Sequence, residues 1–202
     1  STGELIYTIA KELKWPLSVP AQEFMLTAIL GDTQGLSNAL ATATTYRVVA
    51  NMLEEGINRT KLEELRREHS KMPGVIYKYK ATLINRTELH GEGRIAIVDI
   101  PQAEINEFSP LYNPAPLIQN DMLQIEGVAI AIVLKHYDDG KVTGAIRSNH
   151  GFNIAADLAA HFGGGGHPNA SGFKYIKSRQ FNELKAECIN ITTELLDKVG
   201  TE

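Results

Sequence analysis

The 202-residue chain is 43% hydrophobic, 22% charged and 7% aromatic, enough apolar surface for a sizeable core in one or two domains. A formal charge of -4 and a pI near 5.9 give no bulk attraction for duplex nucleic acid, so nucleic-acid contacts are expected to be local and to involve few phosphates. The single cysteine, Cys188, excludes an internal disulfide framework and a cysteine-based zinc site and fits a reducing cytoplasm, and no apolar run has the length of a membrane span.

The chain opens on STGELIY without Met, with no visible signal peptide, and the expectation is that its gene begins upstream. Ser1 with Glu4 fits a capping box, and Leu5, Ile6, Ile9 and Leu13 keep helical spacing until Trp15-Pro16. A second helix is expected from Pro20 to Leu30. After the loop GDTQGLSN, the segment ATATTYRVVANMLEEG predicts a helix with Val48, Val49, Met52 and Leu53 inward and Gly56 as its stop. Thr60 and Glu63 open a charged helix whose mixed acids and bases suit a solvated face.

The Pro73-Gly74 pair is a punctuation mark, followed by Val75, Ile76, Tyr79, Leu83 and Ile84 at helical spacing. Beyond His90 the pattern changes. RIAIVDI predicts a strand, and VAIAIVLKHY and KVTGAIRS flank the turn DDG as a hairpin. NPAPLIQNDML has room for one helix between them. Asn153 to Phe162 predicts another, with Ile154, Leu158 and Phe162 on one face; GFKYI follows as a strand, and a last helix aligns Phe181, Leu184, Cys188, Ile191 and Leu195. The class is therefore α/β: a helical N-terminal part, then a domain with a mixed β-sheet flanked by helices.

The segment HFGGGGHPNASG, His161 to Gly172, places four consecutive glycines before His167. A helix-ending turn needs one glycine, and each further one costs up to about 1 kcal/mol relative to alanine, so the run implies close backbone approach or a ligand. A dinucleotide fingerprint would need glycine where Pro168 or Asn169 stands, and no Gly-Lys-Ser/Thr triplet follows for a P-loop. What remains is a wide turn whose N–H groups at Gly164, Gly165 and Gly166 form an anion nest with the His167 imidazole beside it. Upstream, Arg147 and Ser148 end a strand that turns through NHG into the helix leading to the glycines, so a guanidinium fork is expected to converge on the same loop. Asp32, in the turn of ILGDTQG, suits either an Asx turn or a hard-metal ligand.

STGELIY, AILGDTQGLSNALATATTYRVVANML, GAIRS and FGGGGHPNASG, in this order, resemble the DHH/DHHA1 phosphoesterases, and most closely their oligoribonuclease and 3′-phosphoadenosine-5′-phosphate phosphatase branch. The resemblance implies residues 1–72 as the C-terminal helical part of a DHH domain, 73–90 as a connecting helix and 91–202 as a substrate-binding DHHA1 domain. It implies two Mn ions in the intact protein, with Asp32 matching the last of their carboxylate ligands. It implies substrate contacts at Arg147, Ser148, His167 and the glycine loop, with Asn169 and Ser171 as weaker candidates. No Asp-His-His triplet occurs in the sequence, so the chain is expected to be the C-terminal portion of such an enzyme, with an incomplete metal site and no catalytic residue of its own. Short RNA or a small phosphorylated nucleotide is the implied partner, with no membrane and no long duplex. A homodimer through exposed N-terminal helices is a further expectation. The alternatives are a stand-alone nucleotide-binding module, part of a cyclic-dinucleotide phosphodiesterase, or a purely structural domain.

Overall fold

The computed structural model describes residues 1–176 and 179–199; residues 177–178 and 200–202 of the expected C-terminal domain lie outside the described residues. The chain divides into two units, Ser1–Lys71 and Met72–Glu202.

The first unit is helical: α1 (Thr2–Glu12), α2 (Val19–Asp32), α3 (Ala43–Glu54) and α4 (Arg59–His69). Its core gathers Tyr7, Leu26, Ile29, Leu30, Val48, Val49, Met52, Ile57 and Leu62. The apolar stripe of α1 lies on its exposed side: Leu5, Ile6, Ile9 and Leu13 are exposed, and Gly3, Tyr7 and Ala10 are buried. The reason is a close helix contact, since a Cβ on Gly3 would stand 2.6 Å from the Met25 carbonyl oxygen. The expected capping box is absent as well. Ser1 makes no side-chain cap, and the Glu4 carboxylate accepts from the Thr45 hydroxyl at 2.8 Å, tying α1 to α3. Leu53, expected inward on α3, is exposed.

The second unit runs α5 (Gly74–Arg86), β1 (Glu88–His90), β2 (Ile95–Pro101), α6 (Gln102–Phe108), α7 (Pro114–Met122), β3 (Ile130–His136), β4 (Val142–Ser148), α8 (Ala155–His161), β5 (Gly165–His167), β6 (Ala170–Tyr175) and α9 (Phe181–Val199). Its six-stranded sheet has the order β1-β2-β3-β4-β6-β5, parallel at β2–β3 and antiparallel at the other pairs. One face carries Ile95, Ile97, Ile130, Ile132, Leu134 and Ile146 against α8 and α9. The other carries Ala96, Val98, Ile100, Ala131 and Val133 against α5, α6 and α7. Residues 73–90 are thus built into this unit: α5 buries Ile76, Tyr79 and Leu83.

Helix α6 was not evident in the sequence because it buries one residue, Ile105, and so shows no stripe. On α9 Leu184, Cys188, Thr192 and Leu196 are buried, and Phe181, Ile191 and Leu195 of the expected stripe pack half-buried against the same core; Thr192 tolerates burial because its hydroxyl donates to the Cys188 carbonyl at 2.6 Å. Burial pushes the Cys188 thiol up to about 12. Among the described residues no helix is long and apolar enough to cross a membrane.

A polar cluster fastens α5 to α6. The Glu104 carboxylate accepts from both Arg86 guanidinium nitrogens, at 2.6 and 2.8 Å, and from the Tyr79 hydroxyl at 2.8 Å. Burial alone would raise the Glu104 carboxyl, but the bonds from Arg86 and Tyr79 outweigh it and hold the group below its usual value. A carboxyl depressed in the folded state stabilises fully above its unfolded value, near pH 4.3, and loses that stabilisation as pH falls through the folded value. Glu104→Gln is therefore expected to cost about 2 kcal/mol at neutral pH in denaturant titration, and the gap between variant and native protein should close as the pH is lowered below about 4.

Candidate functional site

Helix α8 ends in the glycine run, and the local bonding assigns most of that run to the fold. Gly163 has φ +75° and donates to the Ala160 carbonyl, while Gly164 donates to the Ala159 carbonyl, which together form a Schellman stop. A Cβ on Gly164 would overlap the Gly172 carbonyl oxygen and Phe173. The expected nest of free N–H groups is therefore corrected: the Gly164 N–H is spent on the helix end, and Gly165 and Gly166 lie in strand β5, paired to Gly172 and Ser171. As the outermost strand, β5 still turns part of its backbone outward.

A two-residue turn, Pro168-Asn169, closes β5 onto β6. Its tip is fixed by backbone bonds from Ser148 to the Asn169 carbonyl and from Ala155 to the Pro168 carbonyl. Ser148 adds weak hydroxyl contacts, 3.3 Å to the Pro168 carbonyl and 3.4 Å to the Asn169 side chain. The Ser171 hydroxyl donates to the His167 carbonyl at 2.7 Å. Both serines thus serve the hairpin.

Register decides what shares a face. Arg147 is paired with Ala170, and Ala170 with His167. Directly opposed residues of an antiparallel pair project to the same side, so Arg147 and His167 stand on one face of the sheet with Ala170 between them. Two inter-strand spacings separate their backbones by about 10 Å. Ala131, buried under the covering helices, flanks Arg147 on its other side, and the exposed Ala170 leaves the β6 side of Arg147 uncrowded. Ser148 and Ser171, one residue out of step, project from the opposite face.

The Asn169 N–H donates to His167 Nδ1 at 3.2 Å. In the neutral ring that bond leaves the proton on Nε2, which is then a donor available to an anion. Arg147 and His167 are both exposed, so neither pays for its polar atoms by burial. The arrangement can hold a phosphate oxygen from two directions, with the Arg147 fork and the His167 Nε2–H. The sequence did not reveal Asn149 as a support. Its amide donates to the Leu123 carbonyl at 3.0 Å and to the Val128 carbonyl at 2.8 Å, anchoring the turn after β4.

Asp32 belongs to the first unit. It is the last residue of α2 and is exposed; its carbonyl accepts from the Asn38 amide at 2.9 Å. The turn after it is organised by Thr33, whose hydroxyl donates to the Ile29 carbonyl at 2.6 Å and accepts from the Leu36 N–H at 3.1 Å. Among the described residues no three His, Cys, Asp or Glu side chains gather as metal ligands. One carboxylate does not fit a pair of Mn ions, so the residues present do not hold that group by themselves. Hollows of about 440 Å³ along α4 and 370 Å³ between α5 and α6 contain none of the expected site residues.

The DHHA1 domain family model matches residues 115–194, which include Arg147 and the whole glycine hairpin. An uncharacterised protein of Mycoplasma pneumoniae is 27% identical over 186 residues, which cover 91% of this chain and 54% of that protein. The bifunctional oligoribonuclease and PAP phosphatase NrnA of Thermus thermophilus is 27% identical over 177 residues, covering 87% of this chain and 51% of that one. The chain therefore spans about half the length of the curated relatives it matches. An exopolyphosphatase-related protein from Bacteroides fragilis shares the fold with a TM-score of 0.82 at 21% identity, over 98% of this chain and 58% of that one.

The glycines separate by substitution. Gly164→Ala should cost about 1–3 kcal/mol through its overlap with the β6 backbone, read as a lowered denaturation midpoint. Gly165→Ala meets nothing within 4 Å and should leave stability within about 0.5 kcal/mol of native.

Proposed function

Residues 115–194 being a DHHA1 domain, the chain belongs to the DHH/DHHA1 phosphoesterases, and from that premise we propose that it supplies the nucleotide-gripping part of a Mn-dependent enzyme hydrolysing short oligoribonucleotides or small nucleotides such as 3′-phosphoadenosine-5′-phosphate. The observation that carries this reading is the shared sheet face of Arg147 and His167. A phosphate ester carries anionic oxygens that match a guanidinium fork and an imidazole N–H. The small exposed neighbours Ala170 and Gly165 let a sugar or base lie beside the phosphate without a clash. That the T. thermophilus relative is an oligoribonuclease and PAP phosphatase supports the choice of ligand.

The roles of the residues follow from their chemistry. Arg147 neutralises charge and fixes the orientation of the phosphate. His167, held by Asn169, donates one directed hydrogen bond. Ser148, Asn149 and Ser171 keep the hairpin in place so that the two donors meet the same group. Hydrolysis also requires an activated water, and Mn in the intact enzyme would lower its pKa. We assign Asp32 as one ligand among several that a polypeptide of the relatives' full length brings together. On this reading the 202-residue chain binds nucleotides without turning them over.

Arg147→Ala should weaken binding of 3′-phosphoadenosine-5′-phosphate at least about tenfold in calorimetric titration, the loss of one charge-assisted contact, while the denaturation midpoint stays put because the side chain is exposed. Unchanged affinity would take Arg147 out of the site. The chain incubated with Mn and desalted should retain less than one ion per molecule and show no Mn-dependent hydrolysis; stoichiometric Mn or robust turnover would overturn the division of labour.

A further inference from the structure

The face that carries Arg147 and His167 continues along the same strands. Parity puts Thr143 with Arg147 on β4, and Lys174 with Ala170 on β6, because each pair is four residues apart. Thr143 is opposed by Lys135 on one side and Lys174 on the other, so lysine, threonine and lysine form one row across three strands. At about 3.3 Å per residue this row lies about 13 Å from that of Arg147. Between the two rows stand Ala145, Gly172 and Gly165, opposed to one another in register.

Two features of the lysine row point to an anion. A cavity of about 220 Å³ opens there, lined by Asn113, Ala115, Val133, Lys135, Thr143, Gly144 and Ala145; it is smaller than the pockets that swallow whole nucleotides and of a size for one phosphate group. Lys135 is half-buried at its wall, and its ammonium donates to the neutral Asn113 side-chain oxygen at 2.9 Å. Among the described residues no carboxylate pairs with Lys135 or with Lys174. Burial holds the Lys135 ammonium below its usual value, the sign of a cation that has lost water and gained no counter-charge. Strands β4, β5 and β6 contain no Asp or Glu at all.

We propose that Lys135, Thr143 and Lys174 form a second phosphate position, about 13 Å from the one at Arg147 and His167 across a floor of Ala145, Gly172 and Gly165, and that a 5′-phosphorylated strand of three residues reaches both. A mononucleotide with one phosphate reaches one end of this track. A short strand reaches both, with a sugar or base over the side-chain-poor floor. The inference rests on the phosphate reading of Arg147 and His167.

Binding of 5′-phosphorylated triadenylate and of adenosine 5′-monophosphate to the whole chain, measured by calorimetry in EDTA, tests it. Lys135→Gln and Lys174→Gln are each expected to weaken the triadenylate fivefold or more and the monophosphate less than twofold. The salt dependence of triadenylate binding should flatten by about 0.7 in log–log slope per lysine removed. Lys174 is exposed, so its variant remains informative if Lys135→Gln disturbs folding. Equal weakening of both ligands, or a native chain that binds triadenylate no tighter than the monophosphate, overturns the second position. If the lysine variants act and Arg147→Ala does not, the second position stands and the Arg147 grip falls. A native chain that binds neither ligand overturns both.

Discussion

The pairing of β4 with β6, and of β6 with β5, is the constraint from which the rest of the second unit's chemistry follows. A slip of one residue in either ladder would send His167 to the face opposite Arg147, because side chains alternate with a period of two. The register is locked from the buried side. Gly144 faces Phe173, and a Cβ at Gly144 would fall among the Phe173 ring atoms, so no other residue fits that opposition. Phe173 in turn stacks on Phe162 of the α8 terminus, with ring centroids 4.7 Å apart. From the other side, the buried Gln119 amide donates to the Ala145 carbonyl at 2.9 Å. The aromatic stack thus sets the positions of donors that it does not touch.

Local charge and total charge tell different stories here. The chain is net negative, yet the three strands that bear the site hold cations alone. Three carboxylates near the sheet are paired. Lys185 reaches Asp99 at 3.0 Å and Glu88 at 2.7 Å, and Arg86 holds Glu104. Neutralised pairs contribute little field at a distance, so a short anionic ligand meets the unpaired cations of one face while a long duplex meets the net charge of the whole. That division suits the small-nucleotide ligand proposed for this face.

Much of this was legible in the sequence, and the misses share a cause. The β3–β4 hairpin announced itself through two apolar runs around DDG, and α8 through Ile154, Leu158 and Phe162, all three buried as their spacing required. Arg147 and His167 were legible as residue types beside a glycine run. Their shared face was not, since it depends on the pairing of β4 with a strand more than twenty residues away. The glycine run suggests a ligand cradle, but Gly163 and Gly164 answer to a helix stop, and Gly164 also to a backbone crossing set by Gly172 and Phe173. On α1 the spacing left the direction of the stripe open. Periodicity reports that a helix has an apolar side, and small residues such as Gly3 and Ala10 can still win the inward position by permitting closer contact. The lysine row left no trace in the sequence, because Lys135, Thr143 and Lys174 become neighbours through two ladders.

The lone cysteine gives the chain an internal clock. Cys188 is sealed in the inward line of α9 with its thiol protonated at neutral pH, so a soluble alkylating reagent has nothing to attack while that helix is docked. Labelling must wait for α9 to lift from the sheet. At low reagent concentration its rate reports the equilibrium of that opening, and at high concentration the rate of opening itself. Because α9 covers the sheet face opposite Arg147, one chemical reaction on an unmodified chain measures how firmly the support of the Arg147 face is held.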